Sequence, residues 1–195
     1  MSKKWNIECD VDGVLADLYG SKVMKNHMER FGTFSEYMLT DYAIESCNNP
    51  SIITGLRSGF RDAYIIRHLE AYDYVDKFVS ELCNMKDKVN FTIHTLICGG
   101  ADAVKARRDW LEDLSKRTGR FSFMIDIGSK SMILNTDILI EDCPDNIERS
   151  NAKYKILILH PYNMNYANTK KDENNFYIVR SLSQALIVIK SIINA

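Results

Sequence analysis

The stretch Trp5-Asn6-Ile7-Glu8-Cys9-Asp10-Val11-Asp12-Gly13-Val14-Leu15-Ala16-Asp17 decides how this chain is read. Trp5 to Cys9 is a short, apolar-leaning run that suits a buried strand. Two carboxylates one residue apart follow it, Asp10 and Asp12, and then Gly13. In extended backbone, residues i and i+2 point to the same side. Past a strand end the chain turns, so Asp10 can aim into a site while Asp12 curls over it, with Gly13 giving the backbone its freedom. Two carboxylates this close repel at neutral pH. A divalent cation is the simplest compensation, and Mg²⁺ favours oxygen ligands. An ordinary acidic turn after a strand is the competing interpretation, and these residues alone do not separate the two.

Working outward, the 195 residues suit one domain, or one domain with a modest insertion. An apolar content of 46% supplies a core and argues against disorder. The net charge of −1, with acids and bases mixed along the chain, argues against an extended nucleic-acid surface. It leaves room for a small anionic ligand, which needs only a few local cations. No apolar run reaches the length of a membrane span, and the N-terminus has no signal-peptide apolar region. A cytoplasmic protein is expected, with a homodimer left open. The five cysteines, Cys9, Cys47, Cys83, Cys98 and Cys143, are scattered without a CxxC pair. They support neither a zinc site nor a disulfide framework, and reduced thiols are the expected state. Cys98 is an alternative nucleophile, but no sequence-local partner would activate it.

The spacing predicts a helix over residues 18–31, stopped at Gly32. Residues 33–60 mix aromatic and polar residues with Asn48-Asn49-Pro50, and read as short helices and loops in an inserted lid. Helical stretches follow at 61–69 and 75–82. Strands are expected at 89–95, 121–127, 137–140 and 155–160, with a short one at 176–179. Between them, residues 101–117 form a strong helix candidate. A final helix over 181–193 opens on a Ser181–Gln184 capping box. Strands alternating with helices predict a doubly wound α/β fold, its sheet mostly parallel with helices on both faces. Ligands of such sheets sit at the carboxyl ends of the strands. Asp10 and Asp12 end the first strand, Thr95 ends the second, and Glu141-Asp142 end a later one. Three such endings on one crevice would make a site for a metal and an anion.

Asp-Val-Asp-Gly-Val-Leu-Ala-Asp at 10–17, Thr95 after an apolar strand, and Ile-Leu-Ile-Glu-Asp-Cys-Pro-Asp-Asn-Ile at 138–147 together resemble the haloacid dehalogenase (HAD) superfamily of phosphatases. Within it they are most similar to the 5′(3′)-deoxyribonucleotidase-like group. The resemblance covers roughly residues 5–150. It implies a HAD-like Rossmannoid core at 1–17 and 87–195, with a small helical cap inserted after the first strand at 18–86. It implies that Asp10 attacks phosphorus and becomes an aspartyl phosphate, and that Asp12 is the general acid and base. Mg²⁺ would be held by Asp10, the backbone carbonyl of Asp12, and Asp142, with Glu141 positioning metal-bound water. Thr95 would donate to a phosphate oxygen, and the loop 96–100 opening onto a helix would add N–H donors.

Several positions depart from the family pattern. A lysine is typical three residues before the tryptophan of the middle helix. Arg107 stands there, ahead of Trp110, with Lys105 two residues earlier; either is a candidate for the phosphate. Lys130 resembles the second phosphate lysine, one residue further from Asp137 than the pattern has it. Glu141-Asp142 replaces a pair of aspartates, and Leu18 replaces an aromatic that helps sandwich a base. Tyr37, Tyr42, Phe60 and Tyr64 are candidates for a base pocket or for the lid's own core. If Thr95 faces the site, His94 points away from it, into a structural role; His160 is a strand-end residue of either kind. The function expected is a Mg²⁺-dependent 5′-nucleotidase acting on a (deoxy)nucleoside monophosphate. A HAD phosphatase for another small phosphate or a nucleic-acid end, and a HAD-fold binding protein without turnover, are the alternatives.

Overall fold

A computed structural model describes residues 4–41, 43–131 and 135–195. Six parallel strands form one sheet: β1 (Trp5–Cys9), β2 (Val89–Ile97), β3 (Ser122–Ile127), β4 (Ile138–Glu141), β5 (Tyr154–Ile158) and β6 (Phe176–Val179). Their order is β3-β2-β1-β4-β5-β6, so the winding reverses between β1 and β4. That reversal opens a crevice at the carboxyl ends of these two strands, where doubly wound sheets bind ligands. The expected α/β class is what the chain adopts.

The strand residues explain the layering. Ile7, Cys9, Phe91, Ile93, Ile138, Ile140, Ile156 and Ile158 are all buried in one cluster. Helix α5 (Ala101–Thr118) buries Trp110, Leu111 and Leu114 in the same cluster, and α8 (Leu182–Asn194) buries Leu186 and Ile189 there. Three- and four-residue spacing puts each set on one helix face. A second cluster joins Leu139 and Leu157 to α6 (Pro144–Arg149) and α7 (Met164–Lys170), through Ile147 and Ala167. Neither α6 nor α7 was anticipated: both are short, and α6 opens directly on Cys143-Pro144, with proline in its first turn. No described helix is long and apolar enough to cross a membrane.

Among the described residues, four α-helices lie between β1 and β2: α1 (Lys22–Met28), α2 (Pro50–Gly59), α3 (Ala63–Arg67) and α4 (Val75–Asn84). The first is shorter than the expected 18–31, because Asp17 Oδ1 accepts the Gly20 N–H at 2.7 Å and holds residues 17–20 in a turn. Ser21 then caps the helix from Met24 N–H. α1 packs on α2, whereas α3 packs on α5, and α4 packs on both α5 and α8. Asp76 of α4 pairs with Arg117 at 3.0 Å and Glu81 with Lys190 at 2.8 Å, tying α4 into the helical layer over the sheet. At the other end of the chain Ser181 caps α8 as expected, but Gln184 accepts from Arg180 N–H at 2.7 Å, one residue off the predicted box.

Candidate active site at the ends of β1 and β4

The register brings the acids together. Cys9 pairs with Ile140, and the Asp10 N–H donates to the Ile140 carbonyl at 3.0 Å, so Asp10 stands beside Glu141 and Asp142. One carboxylate oxygen from each of these three buried residues lies within 4.8 Å of the others. The Lys130 ammonium sits between two of them, 2.6 Å from Asp10 Oδ1 and 2.8 Å from Glu141 Oε2. Glu141 is held further by the N–H groups of Asp142 and Cys143 and by the Asn146 amide. Tyr162 donates its hydroxyl to Asp142 Oδ2 at 2.6 Å, while Asp142 Oδ1 is buried without a hydrogen-bond partner among the described residues.

Three buried carboxylates against one ammonium leave an excess of negative charge, which is costly in a low-dielectric site. The protein's own electrostatics register it. Burial, and then the charge of Glu141, push the Asp10 carboxyl up to about 7 despite Lys130. Burial and the charges of Glu141 and Asp10 likewise raise Asp142. Burial disfavours the Lys130 ammonium, but Asp10 and Glu141 outweigh it and hold the charge on. Oxygen donors, excess negative charge and the orphaned Asp142 Oδ1 are what a hard divalent cation requires. The residues therefore fit one.

Gly13 is fixed by this arrangement. Its φ is +75°, and a Cβ there would stand 2.2 Å from Asp142 Oδ2 and 2.8 Å from the Tyr162 hydroxyl. Its carbonyl accepts from His160 Nε2 at 2.7 Å, and His160 stacks on Tyr162 at 4.9 Å. His160, left open between two roles by its strand-end position, thus buttresses the turn that carries Asp12.

Asp12 does not join the acid cluster through its side chain. Arg107 Nη2 bridges both its oxygens, at 2.5 and 2.7 Å, and the guanidinium lies 5.8 Å from the Trp110 ring. Arg107 is buried, and its Nε and Nη1 have no partner among the described residues. Lys105, two residues away, faces solvent and pairs with Asp109, so helical geometry brings Arg107 to the site and takes Lys105 from it. Thr95 does not end its strand, since β2 runs on to Ile97. Its hydroxyl is nevertheless buried without a partner among the described residues. His94 points the other way, between Glu8 and Asp126.

Asp10, Asp12, Arg107 and Lys130 line a cavity of about 380 Å³. Its apolar wall includes Leu18, Tyr19, Ile44 and Phe60. Of the aromatic candidates, Phe60 is there, while Tyr37 and Tyr64 are exposed and Tyr42 lies outside the described residues. Tyr19, one residue after Leu18, puts an aromatic on this wall and packs on Phe34, Phe60 and Tyr162. Cys98 also lines the cavity, without a hydrogen bond or ion pair among the described residues. Sequence reasoning missed Tyr162, Asn146 and Asn163. The last of these donates to the Asp142 carbonyl at 2.8 Å. Asn146 lies within the 138–147 motif but has no role assigned from sequence; Tyr162 and Asn163 lie in no recognisable motif, although they follow the His160-Pro161 just past β5.

The family model described as 5′ nucleotidase, deoxy (Pyrimidine), cytosolic type C protein matches residues 4–182. The chain belongs to this family. It is therefore a HAD phosphatase of the 5′-nucleotidase kind. A protein described as a haloacid dehalogenase-like hydrolase, from Burkholderia xenovorans, shares the fold with a TM-score of 0.52 and 9% identity, over 97% of this chain and 98% of its own. No curated protein matches the chain.

Proposed function

We propose that this phosphatase hydrolyses a deoxynucleoside 5′-monophosphate with the help of Mg²⁺, through a phosphoryl group carried on Asp10. The observation that carries this is the buried cluster of Asp10, Glu141, Asp142 and Lys130, of which Asp10 and Lys130 line a cavity with an apolar, aromatic wall. Asp10 attacks phosphorus and the ester oxygen leaves. Asp12, oriented by Arg107, gives that oxygen a proton and later takes one from the water that cleaves the aspartyl phosphate. Asp10, Asp142 and the Asp12 carbonyl would hold Mg²⁺, with Glu141 as the neighbouring carboxylate. When bound, the cation neutralises charge on the phosphate that a carboxylate must approach. Lys130 and the unpartnered donors of Arg107 and Thr95 receive phosphate oxygens; buried polar groups left without partners favour this. The N-terminus of α5, opening at Gly100 beside the cavity, adds backbone N–H groups.

Tyr19 and Phe60 would stack the base. The lid we propose is residues 18–62, shorter than the 18–86 read from the sequence, because α3 and α4 pack on α5. Free thiols in all five cysteines support a reducing, cytoplasmic setting.

A panel of phosphorylated substrates, assayed with and without Mg²⁺, tests the assignment. Deoxynucleoside monophosphates should lead, and Asp10→Asn should abolish turnover with the fold intact. Preference for sugar phosphates or nucleic-acid ends would redirect the assignment, and full activity in Asp10→Asn would end it.

A further inference from the structure

On the face of β1–β3 opposite the main core lies a charged network. Glu8 on β1, His94 on β2 and Asp126 on β3 run diagonally across the three strands, each two residues beyond the register partner of the one before. His94 Nδ1 lies 2.8 Å from Glu8 Oε1, and Nε2 lies 2.9 Å from Asp126 Oδ2. The ring is fully buried and lines no part of the substrate cavity. An ionised carboxylate only accepts hydrogen bonds, so two such partners require both ring nitrogens to donate, which is the cationic form.

Each carboxylate has a second duty. Asp126 Oδ2 accepts the Ser131 N–H at 2.5 Å and the Ser131 hydroxyl at 2.7 Å. Glu8 Oε2 accepts the Thr136 hydroxyl at 2.8 Å. Ser131 and Thr136 belong to the connection from β3 to β4, and Lys130 is the residue before Ser131. No step of the proposed reaction uses Glu8, His94 or Asp126.

We propose that His94 is a positioning residue for Lys130. Through Glu8 and Asp126 it grips the β3–β4 connection at two points and sets where the ammonium stands between Asp10 and Glu141. This rests on the role proposed above for Lys130 at the phosphate. Because the link is made of side chains two steps from the substrate, it acts on phosphate affinity and leaves the nucleophile in place.

The experiment is a double-mutant cycle on the full chain with Mg²⁺ present, using orthophosphate as a competitive inhibitor. His94→Gln and, separately, Asp126→Asn should each weaken orthophosphate inhibition by roughly 10-fold, the size usual for a group that orients a site residue. Neither should weaken it further once Lys130→Met is present. Asp126→Asn leaves His94 its bond to Glu8, so it tests the link even where His94→Gln destabilises the chain. Histidine ¹⁵N resonances should show both His94 nitrogens protonated at neutral pH. Orthophosphate inhibition that falls with Lys130→Met but not with His94→Gln or Asp126→Asn overturns the positioning role alone, as do effects that multiply in the double variants. Inhibition unchanged in Lys130→Met overturns the phosphate role of Lys130 and the proposal with it.

Discussion

Replacing Arg107 by leucine isolates the clamp on Asp12. One guanidinium nitrogen bridges both carboxylate oxygens at 2.5 and 2.7 Å. Breaking a buried charge pair by removing one partner typically costs about 3–5 kcal/mol, because the other charge is stranded. Here the stranded group is partly relieved: the Asp12 side chain is 22% exposed, so water takes over some of the lost bonding. Leucine also returns apolar contact with the Trp110 side of α5, leaving a net loss of about 2 kcal/mol. The catalytic loss should be larger in proportion, since in the proposed reaction Asp12 holds a proton over the leaving oxygen. A fall in kcat of about 10–100-fold is expected for an unoriented acid–base group. Arg107→Lys separates the two duties. It keeps a charge beside Asp12 but loses Nε and Nη1, so stability should stay within about 1 kcal/mol of the parent while KM rises. Urea unfolding measures the first quantity, and steady-state hydrolysis of a deoxynucleoside monophosphate the second. If Arg107→Leu unfolds as predicted yet turns over at the parent rate, Asp12 does not depend on the clamp and the assignment of Arg107 is wrong.

Further outcomes are expected. Gly13→Ala should remove activity and lower stability by more than the roughly 1–2 kcal/mol of the left-handed backbone alone, because its Cβ meets Asp142 Oδ2 at 2.2 Å; a folded, active Gly13→Ala protein counts against the packing of this turn. Mg²⁺ at about 100 times its dissociation constant should add about 2.7 kcal/mol to unfolding free energy, and Asp142→Asn should abolish that gain; calorimetry with and without chelator measures both. The Glu8–His94–Asp126 network should make stability depend on pH. Burial opposes the His94 charge, but bonds to Glu8 and Asp126 outweigh it and raise its pKa. Its contribution is therefore present below the unfolded value of about 6.5 and lost as pH rises through the folded value. Asp126, where bonds from Ser131 and His94 overcome desolvation, is lowered to about 2. Its contribution is present above about 3.9 and fades as pH falls toward 2. The stability difference between the parent and His94→Gln should accordingly shrink as pH rises above 6.5; a difference that stays flat refutes the charged assignment.

Local rules made the frame of this protein legible. The apolar strands, the Asp10-Val11-Asp12-Gly13 turn, Glu141-Asp142 and the helix of residues 101–118 all follow from periodicity, turn chemistry and strand-end logic, which act over a few residues. The same rules place Arg107 and Lys105 on different sides of α5, but do not say which side faces the crevice. That depends on Trp110, Leu111 and Leu114 being the face that packs. The connection between β3 and β4 follows no period at all, so no local rule places Lys130 beside Asp10 and Glu141, residues 120 and 11 positions away. Glu8 is an acid inside an apolar strand, and its partners, His94 and Thr136, lie 86 and 128 positions along the chain. Tyr162 and Asn163 escaped for the same reason, because what they hold is Asp142. The sequence by itself determined which acids stand at the strand ends. Only the tertiary structure decided which cation and which hydroxyl each acid holds, because a buried charge takes the partner that packing delivers, at any distance along the chain.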